Sequence, residues 1–407
     1  MKLLFTITLL CSLAYSYSFG FSGKDSAVTA KISVVGDLMC HSVQYDYARI
    51  KKDTFDFNPV YREVRNYFRQ SDFVFGNLET VTAGESKGYS GYPFFNCPDE
   101  YITALYNAGF NLITTSNNHS LDQGEAGLLR TINVLKKNHL LYNGTFNSQR
   151  DRDSVRIINI KGIKIAFLAY TYGTNGIPVP EGKSYLINLI DFDLIKSDIE
   201  KAKKIGAEVV IVHYHFGKEH KREPTAYQKE VVSKTISFGT DIIIGGHPHV
   251  LEPVQFFKTN NGDLDSGFVA YSMGNFISNQ RWRYSDAGAI LNIEITKNLR
   301  NKIIRISNVS YIPTWVFKGT TSRGNEYVVL PLLPGYKNTI DKFLTDSDRA
   351  NMLQAFNDTK EILKKYSANI NLYEGNPFII AGIKPRGLED FKLNKLYDMR
   401  EVTYPER

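Results

Sequence analysis

The sequence predicts an α/β fold: a parallel or mixed β-sheet with helices outside it and one composite site along the sheet's edge. Three observations predict this. Short, continuous apolar runs suit strands buried on both faces. Segments of helical spacing alternate with them. A cluster of polar side chains follows strand upon strand, which is where open α/β sheets place their ligands.

Taken in order, Lys31–Val35 is a β-branched strand running into Gly36-Asp37-Leu38-Met39-Cys40-His41. Asp37 stands at its carboxyl end, as a ligand or as a turn or cap residue. Val60–Gln70 has helical spacing, and Asp72–Phe75 is a strand ending in Gly76-Asn77-Leu78-Glu79-Thr80. Thr80–Pro98 is a Gly/Ser/Tyr loop, and Asp99–Ala108 a helix closed by Gly109. Strand Phe110–Thr114 runs into Ser116-Asn117-Asn118-His119-Ser120-Leu121-Asp122, and Gly124–Lys137 is an amphipathic helix. Val155–Ile160 and Lys164–Tyr170 form a hairpin around Lys161-Gly162, and Thr171–Lys183 is a Gly/Pro loop. Helix Asp191–Lys204 precedes a buried strand, Glu208–Val212, that ends in His213-Tyr214-His215-Phe216-Gly217-Lys218-Glu219-His220.

Helix Gln228–Phe238 leads to Ile242–Ile244, the chain's plainest buried strand. Gly245 and Gly246 break it, and His247 and His249 follow. Pro248 biases His247 towards extended backbone, so the two imidazoles are expected on one side. Phe268–Tyr271 is a strand leading to Ser272-Met273-Gly274-Asn275-Phe276; Gly288–Lys297 and Ile303–Tyr311 are late strands. Ile340–Ala368 reads as mainly helical.

At 407 residues the chain can bury a large core, as one large domain with an appendage or as two domains. A formal charge of +7 without a long basic run gives no nucleic-acid footprint, but would mildly favour an anionic partner. Met1–Gly20 has the pattern of a secretory signal peptide: Lys2, the apolar run Leu3–Ala14, then a small-x-small cleavage site. An uncleaved membrane anchor is the alternative. The expectation is a secreted or periplasmic protein with no transmembrane helix after cleavage. Cys11 would leave with the signal. Cys40 and Cys97 then remain, as one disulfide or as two buried thiols.

Of eight histidines, only His139 lies clearly outside a strand-end cluster. With Asp37, Glu79, Asn118 and Asp122 they suit a cation site of mixed nitrogen and oxygen ligands, better matched to Zn, Mn or Fe than to Ca or Mg. Two ions could share a bridging carboxylate. No Gly-rich phosphate loop or paired-cysteine zinc site is present.

Six motifs, Gly36-Asp37-Leu38-Met39, Gly76-Asn77-Leu78-Glu79-Thr80, Asn117–Gly124, His215–His220, Gly246–His249 and Tyr271–Phe276, occur in the order of the CapA family. From about Ile32 to Pro313 the sequence closely resembles these poly-γ-glutamate capsule biosynthesis proteins, which have a metallophosphoesterase-like fold. The resemblance implies a four-layer α/β/β/α sandwich over residues 28–320, with 1–20 as signal peptide and 321–407 as a mainly helical C-terminal extension. By position it implies metal ligation by Asp37, Glu79, Asn118, His215, His247 and His249. His119 would be general acid or phosphate contact, oriented by Asp122. Met39 stands where metallophosphoesterases carry the histidine of Asp-x-His, so the first metal site could be single, weak or completed by His41. Phe216 stands where the family has tryptophan.

Asn77, Glu219 and Asn275 are candidate substrate contacts. Glu219 is equally explicable as a surface charge, whereas Asn275 reads first as a cap or cross-link between strand-end loops, as side-chain amides usually are. His213 reads as packed beside the ligands. Arg281 and Arg283, flanking Trp282, could bind a carboxylate or phosphate, though a solvated loop explains them as well. The expected activity is a metal-dependent hydrolase using a metal-bound hydroxide on an anionic polymer or small anionic substrate, in capsule or poly-γ-glutamate synthesis or processing. The bond could be a γ-glutamyl amide or a phosphoester. Alternatives are a periplasmic phosphoesterase and a non-catalytic, polymer-binding part of a synthesis or export complex.

Overall fold

The computed structural model describes residues 26–261 and 264–375. The expected signal peptide and the last part of the C-terminal extension lie outside them. Fifteen strands form the large sheet. They are β1 Ala27–Leu38, β2 Phe73–Leu78, β3 Leu112–Thr114, β4 Leu141–Asn143, β5 Arg156–Ile160, β6 Ile163–Thr171, β7 Val209–His215 and β8 Ile242–Gly246. After them come β9 Val254–Asn261, β10 Leu264–Ala270, β11 Asn275–Ile277, β12 Ala287–Asn298, β13 Ile304–Thr321, β14 Gly324–Pro331 and β15 Asn371–Leu372.

The order β4-β3-β2-β1-β12-β13-β10-β8-β7-β6-β5 falls into two halves, because β13 meets β10 through the single pair Leu264↔Ile304. In one half β1 to β4 run parallel. In the other, β6, β7, β8 and β10 do. The halves face each other. Side chains alternate across a strand, and the alternation sorts the core. Ile32, Val34, Phe73 and Phe75 of the first half join Ile165, Phe167, Ile211 and Ile244 of the second in one cluster. The Phe73 and Phe167 ring centroids are 4.9 Å apart. Val35, Leu38 and Val74 point the other way, onto helices Asp99–Ala108 and Gly124–Lys137. Val210 and Val212 point away from the second half, onto helices Phe192–Lys204 and Ala226–Ser237. The result is a mixed α/β sandwich with a helical layer outside each half.

Several expectations need correction. Val60–Gln70 is not one helix: Pro59 opens a 3₁₀ turn at Asn58–Tyr61, and a separate α-turn spans Arg65–Phe68. The segment after 321 is not mainly helical at its start. β14 folds back antiparallel on β13, and helix Asp346–Lys364 comes only afterwards. Strand β1 continues past Val35 through Asp37 to Leu38, with a register shift between Val34 and Asp37. Strands β4, β9 and β11 have no counterpart in the sequence reading. Cys40 and Cys97 are free and buried in the same cluster.

Both halves meet the Tyr271–Asn275 segment at backbone contact distance. A Cβ on Gly36 would lie 1.9 Å from the Gly274 carbonyl oxygen, and one on Gly245 1.9 Å from that of Tyr271. The contacts are hydrogen-bonded: Asp37 N donates to Gly274 O, and Met273 N to Gly245 O, both at 2.9 Å. Glycine is required there for close approach. Gly36→Ala and Gly245→Ala are each expected to lose about 3 kcal/mol of stability by overpacking. Urea unfolding measures this, and unchanged midpoints would contradict it.

Candidate metal centre

Parallel pairing brings the carboxyl ends of the strands to one edge. Asp37 lies opposite Asn77 across β1 and β2, and Gly246 opposite His215 across β8 and β7. There Asp37, Glu79 and His249 offer ligand atoms within 4.8 Å of one another, and so do Glu79, His215 and His247. Glu79 belongs to both groups. All five are buried, and Asp37, Glu79 and His215 have no exposed surface.

His247 and His249 reach the site differently from the sequence expectation. Both have left-handed backbone, φ +94° and +57°, instead of extended conformation. Tertiary contact overrides the bias set by Pro248: the His247 amide donates to Asp37 Oδ2 at 3.1 Å, folding the turn inward. Non-glycine residues held at positive φ are strained and cluster at functional sites.

The donors suit a cation. Burial lowers His215 to about 3, against the pull of Asp37, and also takes His247 well below the usual range. Both imidazoles are therefore neutral at pH 7, which is the ligating form. Burial pushes Glu79 up to about 8, against the charge on His249. Burial would raise Asp37 too, but His249, His215 and Asn77 hold it well below the usual carboxylate range. Burial alone would lower His249, which Glu79 and Asp37 carry up to about 9. Among the described residues neither carboxylate oxygen of Glu79 has a hydrogen-bond partner, nor has His247 Nδ1. Buried polar atoms left open in this way, facing neutral imidazoles and a second carboxylate, fit one or two divalent ions.

Asn118 Oδ1 lies 2.7 Å from His215 Nε2, within the same pocket. His119 stands beside it with Nδ1 2.8 Å from Asp122 Oδ2, an oxygen that also accepts from Phe95 N. Asp122 thus fixes the ring and leaves Nε2 as its other reactive atom. Burial would lower His119, but Asp122 and Glu79 raise it. His41 belongs to neither ligand group. Its Nδ1 is 3.1 Å from Gln44 Oε1 and 3.4 Å from Asn279 N, and burial takes it down to about 4.

Two candidate substrate contacts face inward: Asn77 orients metal-site groups, and Asn275 is the loop cross-link that its sequence context favours. Asn77 is fully buried, with Nδ2 2.8 Å from Asp37 Oδ1 and 3.2 Å from His215 Nδ1, and so orients those groups. Asn275 holds His249 Nδ1 at 3.0 Å and donates to Ser285 O. Their short amides are used up by neighbours and have no free face. Glu219 is exposed at the site's mouth beside His220. His213 is buried behind the ligands, outside both groups. Sequence reading missed the walls: Tyr172 lies 4.6 Å from His247 and Phe95 4.7 Å from His119, ring to ring. Both sit in loops without a motif, and their only signal was aromatic residues flanking the clusters.

A mixed α/β sandwich carrying a cluster of buried carboxylates and neutral imidazoles at its strand ends is the class that structure and site define. Residues 31–280 match the family model "Bacterial capsule synthesis protein PGA_cap", and the chain belongs to that family. It is 30% identical over 248 residues to Capsule biosynthesis protein CapA of Bacillus anthracis, covering 59% of this chain and 58% of that protein. It is 27% identical over 301 residues to PGA biosynthesis protein CapA of Bacillus subtilis, covering 70% and 76%. Among solved structures, Haemophilus influenzae NAD nucleotidase aligns with TM-score 0.43 and 14% identity, covering 88% of this chain and 59% of that one. The calcineurin-like phosphoesterase YfkN of Bacillus subtilis aligns with TM-score 0.41 and 12% identity, covering 82% and 98%.

Several buried acids lie outside the cluster, and Glu252 is next to it in sequence. Glu252, just past His249, accepts from Gln228 Nε2 at 2.6 Å, and burial pushes it up to about 8. An unfolded glutamate titrates near 4.5, so between about 4.5 and 8 the folded chain binds a proton that the unfolded chain has released. Stability therefore falls as pH rises through that window, by up to about 1.4 kcal/mol per unit. In cation-saturated protein Glu252→Gln is expected to match wild type at pH 5 and to melt higher at pH 8. Parallel melting curves would contradict this.

Proposed function

We propose that this chain is a divalent-cation-dependent hydrolase acting on an anionic substrate during synthesis or processing of a capsule or poly-γ-glutamate polymer. The observation that carries this reading is Glu79, whose two open oxygens are shared between the Asp37–His249 and His215–His247 sides. Family membership supports the capsule context. The pattern of residues 1–20 supports action outside the cytoplasm, and among the described residues no helix is long and apolar enough to cross a membrane.

Asp37, Glu79, His215, His247 and His249 would hold the cation, with Asn118 adjoining, and their mix of nitrogen and oxygen donors suits Zn, Mn or Fe. Bound there, a divalent cation would supply Lewis acidity and a source of hydroxide at neutral pH. The rest falls to the chain. His119, its Nδ1 held by Asp122, keeps a proton at Nε2 for the departing group. Tyr172 and Phe95 narrow the pocket and exclude bulk water. Asn77 and Asn275 keep Asp37, His215 and His249 from turning away.

The test is metal analysis alongside hydrolysis of aryl phosphates and γ-glutamyl peptides. Asp37→Ala and His247→Ala are expected to lose both cation and activity. His119→Ala should keep the cation and lose roughly 10²–10⁴-fold in rate. Wild type free of cation even after reconstitution, with polymer production intact in both ligand variants, would overturn the hydrolase reading in favour of an assembly role.

A further inference from the structure

Beside the candidate centre two cations stand without an acid to answer them. The loop after β11 braces the pocket twice: Asn275 Nδ2 donates to Gln280 Oε1, and Asn279 N lies 3.4 Å from His41 Nδ1. The next residue, Arg281, is half-buried. Its Nε donates to Val316 O at 3.2 Å and its guanidinium lies 5.3 Å from the Trp315 ring centroid. Among the described residues its Nη1 and Nη2 have no hydrogen-bond partner. Lys318, also half-buried, donates to Asn279 Oδ1 at 3.2 Å and stands 5.6 Å from the ring centroids of both Tyr47 and Tyr327.

Among the described residues neither cation has a carboxylate within 4.0 Å. The acids nearest Arg281 in influence are engaged elsewhere: Asp286 accepts from Trp315 Nε1, and Asp348 caps its own helix through Thr345. The nearby Arg283 is answered, for it pairs with Asp358 at 3.0 Å. Burial lowers Lys318, and the Arg281 charge lowers it further. Two like charges held together and half out of water are costly unless an anion joins them, and a free guanidinium edge fits a carboxylate or phosphate in bidentate geometry.

We propose that Arg281 and Lys318 form an anion subsite adjoining the metal centre on its His41 side. It receives an acidic group of a polyanionic substrate whose scissile bond lies in the metal pocket. The proposal rests on the hydrolase reading for that last part. Carboxylate and phosphate polymers share the required chemistry.

Equilibrium binding to cation-loaded protein tests it, with a γ-linked oligoglutamate and a glycerol phosphate oligomer as probes. Arg281→Gln and Lys318→Gln are each expected to weaken the preferred oligomer roughly tenfold, the scale of a lost charged hydrogen bond. Arg281→Lys, which keeps the charge but loses the bidentate fork, should fall between wild type and Arg281→Gln, and Arg283→Gln should keep full affinity. Whichever oligomer shows this dependence identifies the source of the anion. Affinities indifferent to both residues, or lowered equally by Arg283→Gln, would overturn the subsite. The two readings fail separately. Wild type without a cation but with Arg281-dependent binding would keep the subsite and refute the hydrolase. Bound cation with Arg281-independent affinity would do the reverse.

Discussion

Asp37 and Glu79 are two carboxylates with no exposed surface, carried to the same edge by adjacent parallel strands. Two buried like charges repel, and burial penalises each one separately. Positive charge has to come from somewhere. Without an ion, His249 supplies part of it, 3.4 Å from Asp37 and 3.7 Å from Glu79. His215 and His247 do not join in, because burial leaves them uncharged. The pocket therefore sets two buried carboxylates beside neutral nitrogen donors, a combination that a divalent cation satisfies.

The sandwich exists around this constraint. Each half of the sheet sends parallel strands to the shared edge, so ligands far apart in sequence converge without long loops. Glycine at 36 and 245 lets both halves close on the backbone of the 271–274 segment. A second shell of asparagines then fixes the first: Asn77 behind Asp37 and His215, Asn275 behind His249, and Asn117 tying Asn77 to Leu78 O. These amides are structural in the sense that they orient chemistry, and their loss would be felt as misplacement of the ligands.

Much of this was legible in the sequence, for identifiable reasons. Ile242–Ile244 and Val209–Val212 are buried on both faces, so their apolar runs are unbroken and their ends easy to see. The polar residues after those ends gave the composite site. What was not legible depended on tertiary contact. Strand β11, Asn275–Ile277, is three residues long and exists by pairing with β1 at Asp37. Strand β14 carries charge at its start, Asn325-Glu326, because Glu326 is neutralised by Arg62 from far away in the chain. The His247 backbone follows a hydrogen bond to Asp37, over 200 residues distant, and not its own proline. Asn77 is a candidate substrate contact by sequence because spacing shows that a residue is at the edge, but not which way its amide is turned. Arg281 and Arg283 were indistinguishable in sequence; Asp358 claims only Arg283.

Glu79 belongs to both candidate ligand groups, so one or two cations could share it. Anomalous diffraction from crystals grown with Mn²⁺ tests this claim most directly. The expected result is anomalous density beside Glu79, toward Asp37 and His249, toward His215 and His247, or on both sides. A map with no peak at Glu79, from protein saturated with Mn²⁺, would contradict the claim.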